Sequence, residues 1–336
     1  MSKVIKQLPT FVHRTYRGGD KLRAFLKLEK NSDSFLPEDW ISSFVEAKNR
    51  VYIKNEGISQ VITENGEALI TDAVSDADFG EGRSSSGVLI KLLDAGERLG
   101  VQVHPTKERA NELFSSAFGK TECWHILDAD EGASVYLGFR EGITEDIWRE
   151  LYFKQDIDGM LGAMHKLSVK RGDTILVTAG IPHAIGKGCF LLEIQEPTDY
   201  TFRVERTTVA GEKLTENQIH YGVGEDAMLS SFIYSAMSER DVREKHFLKT
   251  RKISLSESIL VSYDDTECFA LSKIEGDRDL NETSFVTVVC TEDGGILKTE
   301  SEQFLLSRGD RFFISANACV RLISAKALLC YPPKLN

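Results

Sequence analysis

Residues 171–188 read RGDTILVTAGIPHAIGKG, and residues 308–325 read RGDRFFISANACVRLISA. Laid side by side without gaps, both spell a tight turn, an apolar strand, a turn of small residues and a second strand. The recurrence predicts one supersecondary unit used twice, as in a duplicated β domain. The copies differ where chemistry would sit. His183 of the first falls opposite Val320 of the second, so the unit does not need the His in order to fold.

The rest of the chain fits a mainly β fold. "GVLIKLL", "LGVQVH", "ECWHIL", "ASVYLGF", "CFLLEIQ" and "YTFRVE" read as strands, and so do "ILVSYDD", "FALSKIE", "SFVTVVC", "QFLLSR" and "ALLCYPP". Many short strands between Gly, Asp and Pro turns predict sandwiches or barrels. Helical spacing is confined to "TKERANELFSSA", about 106–117, and to the run from Thr144 to about 166. Thr106 and Thr144 stand at cap positions. The segment from about Gly224 to Lys245 reads as a connection between two β domains, and "DAVSDADFGEGRSSSG", ending at Gly87, as an exposed loop.

A chain of 336 residues, 41% of them hydrophobic, has room for two cored domains. The formal charge of −11, with no basic run, argues against nucleic acid or an anionic membrane as partner. A small anionic substrate is still compatible, met by a few local Lys or Arg residues. No apolar stretch has the length of a membrane span and "MSKVIKQLPT" has no signal core, so the expected location is the cytoplasm. The six Cys residues form no C-x-x-C pair and mostly lie in apolar surroundings, which predicts reduced, structural thiols. None of these features sets an oligomeric state.

Candidate chemistry begins at "VQVHP", Val101–Pro105. Strand side chains alternate, so Val101 and Val103 face one way and Gln102 and His104 the other. A strand with a polar face is the ordinary reading, and two metal ligands the specific one. "KTECWHIL" adds Glu122 at a strand start, and "GIPHAIGKG" adds His183 in a turn shaped by Gly and Pro. Together Gln102, His104, Glu122 and His183 offer two imidazole nitrogens, a carboxylate and an amide oxygen. That set suits a borderline divalent ion such as zinc.

In "YRGGDKL", "LIKLLDAGERLGVQVHP", "GKTECWHI" and "GIPHAIGKGCFLLEIQEPTDYTFRV" the chain resembles the type I mannose-6-phosphate isomerases in their short bacterial form, from about Tyr16 to Arg203. The resemblance implies two cupin-type jelly-roll domains, with a few helices packed on the N-terminal, metal-bearing one. The expected division is 1–235 for the catalytic domain and 236–336 for a C-terminal β domain without metal. It also implies one zinc ion per chain, held by Gln102, His104, Glu122 and His183. The implied activity interconverts mannose 6-phosphate and fructose 6-phosphate by proton transfer through an enediolate. Lys120, Asp199 and Arg203 match the family's substrate-handling residues. Isomerisation needs a base and positive groups against the developing charge, and these residue types supply them. The plainer alternatives are that Asp199 caps a turn and that Arg203 pairs with Glu205.

The chain departs from the family at Gly100, where a Ser thought to hold phosphate is usual, at "TYRGG" in place of a Trp before the two Gly residues, and at "PEDW". Lys91, Lys187 and Arg206 are candidates for a replacement phosphate cation. The alternative readings are an isomerase of a related or unphosphorylated sugar, a non-catalytic sugar-binding cupin, and a metal-dependent oxygenase. Gln102 among the ligands speaks against the last.

Overall fold

The computed structural model describes residues 4–30, 32–43, 51–55, 58–62 and 86–334, the two strands 51–55 and 58–62 by backbone alone. The loop expected before Val88 lies almost wholly outside the described residues.

The fold is mainly β, of cupin type, and builds up in layers. One sheet of five strands runs in the order Met164–Ser168, Ser134–Phe139, His183–Ile185, Gln102–Val103, Phe202–Arg203. Facing it is a sheet of seven strands, with Thr174–Val177, Glu122–Ala129, Cys189–Gln195, Leu89–Asp94 and Glu38–Ile41 at its centre. The apolar side chains between them, Trp124, Ile126, Val135, Leu137, Ile175 and Ile185 among them, form one core. Helices Glu145–Lys154 and Ile157–Gly162 cover the outer face of the five-stranded sheet, where Val101 and Val103 meet Trp148 and Met160. Burying two β-branched side chains there fixes the opposite face of VQVHP toward the interior of the sandwich.

The outer face of the seven-stranded sheet packs on the third sheet. Leu92, Cys123, Leu176 and Leu192 meet Val261, Leu271, Leu328 and Cys330. This eleven-stranded sheet comes mostly from the last ninety residues, with Ala270–Leu280 beside Val320–Tyr331 at its centre. Its run ends on N-terminal strands: Val4–Gln7 pairs antiparallel with Arg311–Ile314, and Val51–Asn55 and Ile58–Ile62 follow.

Several local readings change. The expected helix to about 166 ends at Gly162, and Met164–Ser168 is a strand paired with Ser134–Phe139. The apolar spacing continues through "MLGAMHKL", and strand pairing decides the switch. The expected connection near Gly224–Lys245 holds two helices, Glu225–Leu229 and Glu239–His246. The strand in VQVHP shortens to Gln102–Val103. Both Thr caps are present: Thr106 accepts from the Arg109 amide and Thr144 from the Ile147 amide. No described helix is long and apolar enough to cross a membrane.

Candidate metal centre and active site

The register of the five-stranded sheet assembles the centre. Gln102 pairs across the ladder with His183 on one side and with Arg203 on the other. Glu122 opens its strand in the facing sheet, and Val177 and Gln195 flank it. His104, Glu122 and His183 are buried, with their ligand atoms all within 4.8 Å of one another. His104 Nε2 lies 3.2 Å from His183 Nε2 and 3.1 Å from Glu122 Oε2, and His183 Nε2 lies 3.5 Å from Glu122 Oε1. The Gln102 amide stands 3.1 Å from His183 Nε2. A half-turn of that amide exchanges its nitrogen for its oxygen.

The remaining hydrogen bonds test whether a cation fits. His104 Nδ1 is 2.9 Å from the Tyr200 carbonyl, and His183 Nδ1 is 2.8 Å from the Ile181 carbonyl. A carbonyl only accepts, so each Nδ1 carries the proton and each Nε2 presents a lone pair. Burial first, then neighbouring Lys120, pushes His104 down to about 3, and burial likewise lowers His183. Burial raises Glu122, but Lys120, His104 and His183 outweigh it and hold the carboxyl well below its usual range. Two imidazole lone pairs and a carboxylate therefore converge at one point, which is the donor chemistry of a metal site. Lys120 Nζ completes the arrangement at 3.0 Å from His104 Nε2 and 3.2 Å from Glu122 Oε2. The Trp124 indole N–H donates to Glu122 Oε1 at 3.0 Å and orients it.

A cleft of about 650 Å³, counted with its open mouth, leads to this centre past Gln102, Lys120, Thr201 and Arg203. Arg203 donates to the Gln218 carbonyl at 2.7 Å. Its expected partner Glu205 is taken by Arg98 instead, at 2.6 and 3.0 Å, and also accepts the Val101 amide at 2.7 Å. Gly100 lines the cleft beside that pair, and a Cβ there would come no closer than 3.8 Å to Glu205. Among the three candidate cations, Lys91 lines the cleft. Arg206 is bound to Glu225 at 2.8 Å and lies over the Tyr152 ring, and Lys187 is exposed on a turn.

Asp199 sits beside the cleft, in an ion network that the sequence reading missed. Arg14 grips both its oxygens, at 2.8 and 2.9 Å, and Lys91 lies 3.7 Å away. Glu38 takes Arg14 at 3.2 Å, the Tyr16 hydroxyl at 2.5 Å and the Trp40 indole N–H at 2.6 Å. Glu193 lies 3.1 Å from Lys91. Among the described residues, Arg14 and Lys91 thus meet three carboxylates out of water. Burial, then the charge of Glu122, raises Glu193 to about 7, against the opposing pull of Lys91 and Lys120. Burial works against Asp199 ionising too, but Arg14, Lys91 and Lys120 prevail and keep its carboxyl far below the usual range. A signal was present in the sequence: "LIKLL" and "LLEIQ" each carry one charge inside an apolar run, and Lys91 and Glu193 are direct cross-strand partners.

Residues 7–122 match the family described as "Phosphomannose isomerase type I, catalytic domain". A mannose-6-phosphate isomerase of Streptococcus mutans is 35% identical over 203 residues, 59% of this chain and 59% of that protein. The mannose-6-phosphate isomerase ManA of Bacillus subtilis is 38% identical over 117 residues, 35% of this chain and 36% of that protein. The chain thus spans well under two thirds of these relatives' length. Among solved structures, the mannose 6-phosphate isomerase of Bacillus subtilis superposes with a TM-score of 0.77 at 22% identity, covering 98% of this chain and 99% of that one. A phosphomannose isomerase variant from Salmonella typhimurium superposes at 0.74 with 14% identity, covering 99% and 100%.

Proposed function

We infer, from the match of residues 7–122 to the type I phosphomannose isomerase catalytic domain, that the chain interconverts mannose 6-phosphate and fructose 6-phosphate with one zinc ion per chain. The observation that carries this reading is the convergence of two Nε2 lone pairs and the Glu122 carboxylate at the head of a cation-lined cleft. Gln102, His104, Glu122 and His183 would hold the ion, the amide of Gln102 turned to present its oxygen. When bound, zinc supplies Lewis acidity toward the sugar's carbonyl and neighbouring hydroxyl oxygens.

The chain's own residues do the rest. The aldose loses a proton from C2 and regains one at C1, and a proton moves between the two oxygens. Arg203, across the strand from Gln102, and Lys120, beside Glu122, donate toward the enediolate oxygens as charge develops. Glu193, which lines the cleft with its carboxyl held above the usual range by burial, is assigned the proton transfer. Asp199, held by Arg14 as a very weak base, is better suited to fixing Arg14 and Lys91 than to carrying protons. In the same reading, residues 1–235 form the catalytic part and 236–336 a supporting β part, joined by N-terminal strand Val4–Gln7.

Gly100 favours a second reading, an isomerase of a related or unphosphorylated sugar. Parallel assays of mannose 6-phosphate and mannose separate the two. Formation of fructose 6-phosphate, with mannose turned over far more slowly, supports the first reading. Equal or better turnover of mannose supports the second. Sugar binding without any turnover makes the protein a binding cupin and ends both.

A further inference from the structure

Every described residue lining the cleft lies between Arg14 and Leu214. The C-terminal part nevertheless reaches the cleft's supporting wall through the second RGD turn. We propose that Arg311 is a positioning residue for the active site, acting through Asp39 on the strand that carries Glu38 and Trp40.

The strand Glu38–Ile41 has two faces. Glu38 and Trp40 point into the ion network: Glu38 binds Tyr16 and Arg14, and the Trp40 ring takes the Arg14 guanidinium at 5.4 Å and Lys91 Nζ at 5.0 Å. Asp39 points the other way, fully buried, and is gripped by Arg311 Nη1 while accepting the Thr10 amide at 2.6 Å. Arg311 is only 1% exposed, and its Nε and Nη2 donate to the Gly309 carbonyl at 3.1 and 2.9 Å, so the guanidinium is locked to its own turn. Arg308 of the same turn donates to the carbonyls of Phe25 and Ala24, at 3.2 and 2.9 Å, at the end of helix Lys21–Phe25. That helix follows directly on the segment bearing Arg14 and Tyr16. The turn therefore clasps both pieces of chain that build the Glu38 network, and a shift of Asp39 moves its neighbours Glu38 and Trp40.

The repeated unit does not need an arginine at this position. The first copy has Thr174 there, whose hydroxyl lies 2.9 Å from His125 Nδ1 within its own sheet.

The inference rests on the isomerase reading for its kinetic test. Arg311→Met combined with Asp39→Asn removes both charges, so that neither is left buried alone. The expected result is wild-type zinc content, kcat for mannose 6-phosphate about tenfold lower, and KM within about twofold, as for a misplaced wall that leaves binding intact. Leu297→Ala, a truncation in the C-terminal core, should lose melting temperature while keeping kcat. Wild-type kcat in the double variant, or an equal loss of kcat in Leu297→Ala, overturns the proposal. If the wild-type protein turns over no sugar, the isomerase reading falls alone. A crystal structure of the double variant then decides the clasp: Glu38 and Trp40 displaced from Arg14 and Tyr16 by more than about 0.5 Å supports it, and unmoved side chains overturn it.

Discussion

In the first copy of the repeated unit the Asp173 carboxylate accepts the Lys170 amide at 2.9 Å, and in the second Asp310 accepts the Ser307 amide at 3.0 Å. Gly172 and Gly309 take left-handed φ values of +91° and +85° at the same point of the two turns. Nine residues into each copy, Gly180 and Asn317 are left-handed again, at +85° and +58°. His183 and Val320 each open the strand that follows. The backbone is thus shared through both turns, and the strands that follow differ in length, His183–Ile185 against Val320–Tyr331. One points an imidazole at Glu122, where the other buries a valine in the C-terminal core. At the fourth position one has Thr174 against His125, and the other has Arg311 against Asp39. A scaffold whose turns and core already fold can take a ligand in one copy and a clasp in the other.

The largest test is to give the first copy the residue of the second. His183→Val should keep the fold by circular dichroism and lose zinc. Turnover should fall by about 10³-fold or more, since Lewis-acid stabilisation is worth several kcal/mol and each 1.36 kcal/mol is tenfold. A variant that fails to fold would break the comparison, because His183 would then be a folding residue.

Arg203→Ala asks whether the strand beside the ligand strand shares the chemistry. Loss of one charge-stabilising donor predicts a fall of about 10²-fold in kcat/KM, with zinc content unchanged. An unchanged kcat/KM contradicts the role.

The Thr174–His125 pair distinguishes the copies by pH. Burial, then Lys273 and Arg171, lowers His125 from the usual 6.5 to about 4. Its folded form is neutral, whereas the unfolded chain binds the proton below 6.5. Its contribution is therefore present above 6.5 and lost as pH falls from 6.5 through 4, amounting to a few kcal/mol, roughly 3. Urea unfolding at pH 7 and pH 4.5 should show a smaller loss on acidification for His125→Gln than for the wild-type chain, and equal losses would contradict this.

Gly100→Ser should give the smallest effect. The space beside Glu205 admits a Cβ at 3.8 Å, and one added hydrogen bond of about 1 kcal/mol lowers KM for mannose 6-phosphate roughly fivefold. A KM that rises or stays fixed would place the phosphate elsewhere.

The sequence carried the four ligand candidates because their signals are local: a two-residue spacing in VQVHP, a Glu at a strand start and a His between Gly-rich turns. The repeat was legible for the same reason, since each turn is specified within four residues. The ion network was not. Arg14 meets Asp199 across 185 residues of chain, and Lys91 and Glu193 look misplaced until the register makes them neighbours. The Arg98–Glu205 pair defeated a nearer guess, Arg203 with Glu205: Arg203 donates to the Gln218 carbonyl instead. Helical spacing in "MLGAMHKL" misled at Met164, where pairing with Phe139 decides the conformation.

The most direct measurement follows metal content and mannose 6-phosphate turnover on one preparation, before and after a chelator and after zinc is restored. The account predicts one zinc per chain, turnover lost with the metal and regained with it. Full turnover by metal-free protein, or none by zinc-loaded protein, would contradict it.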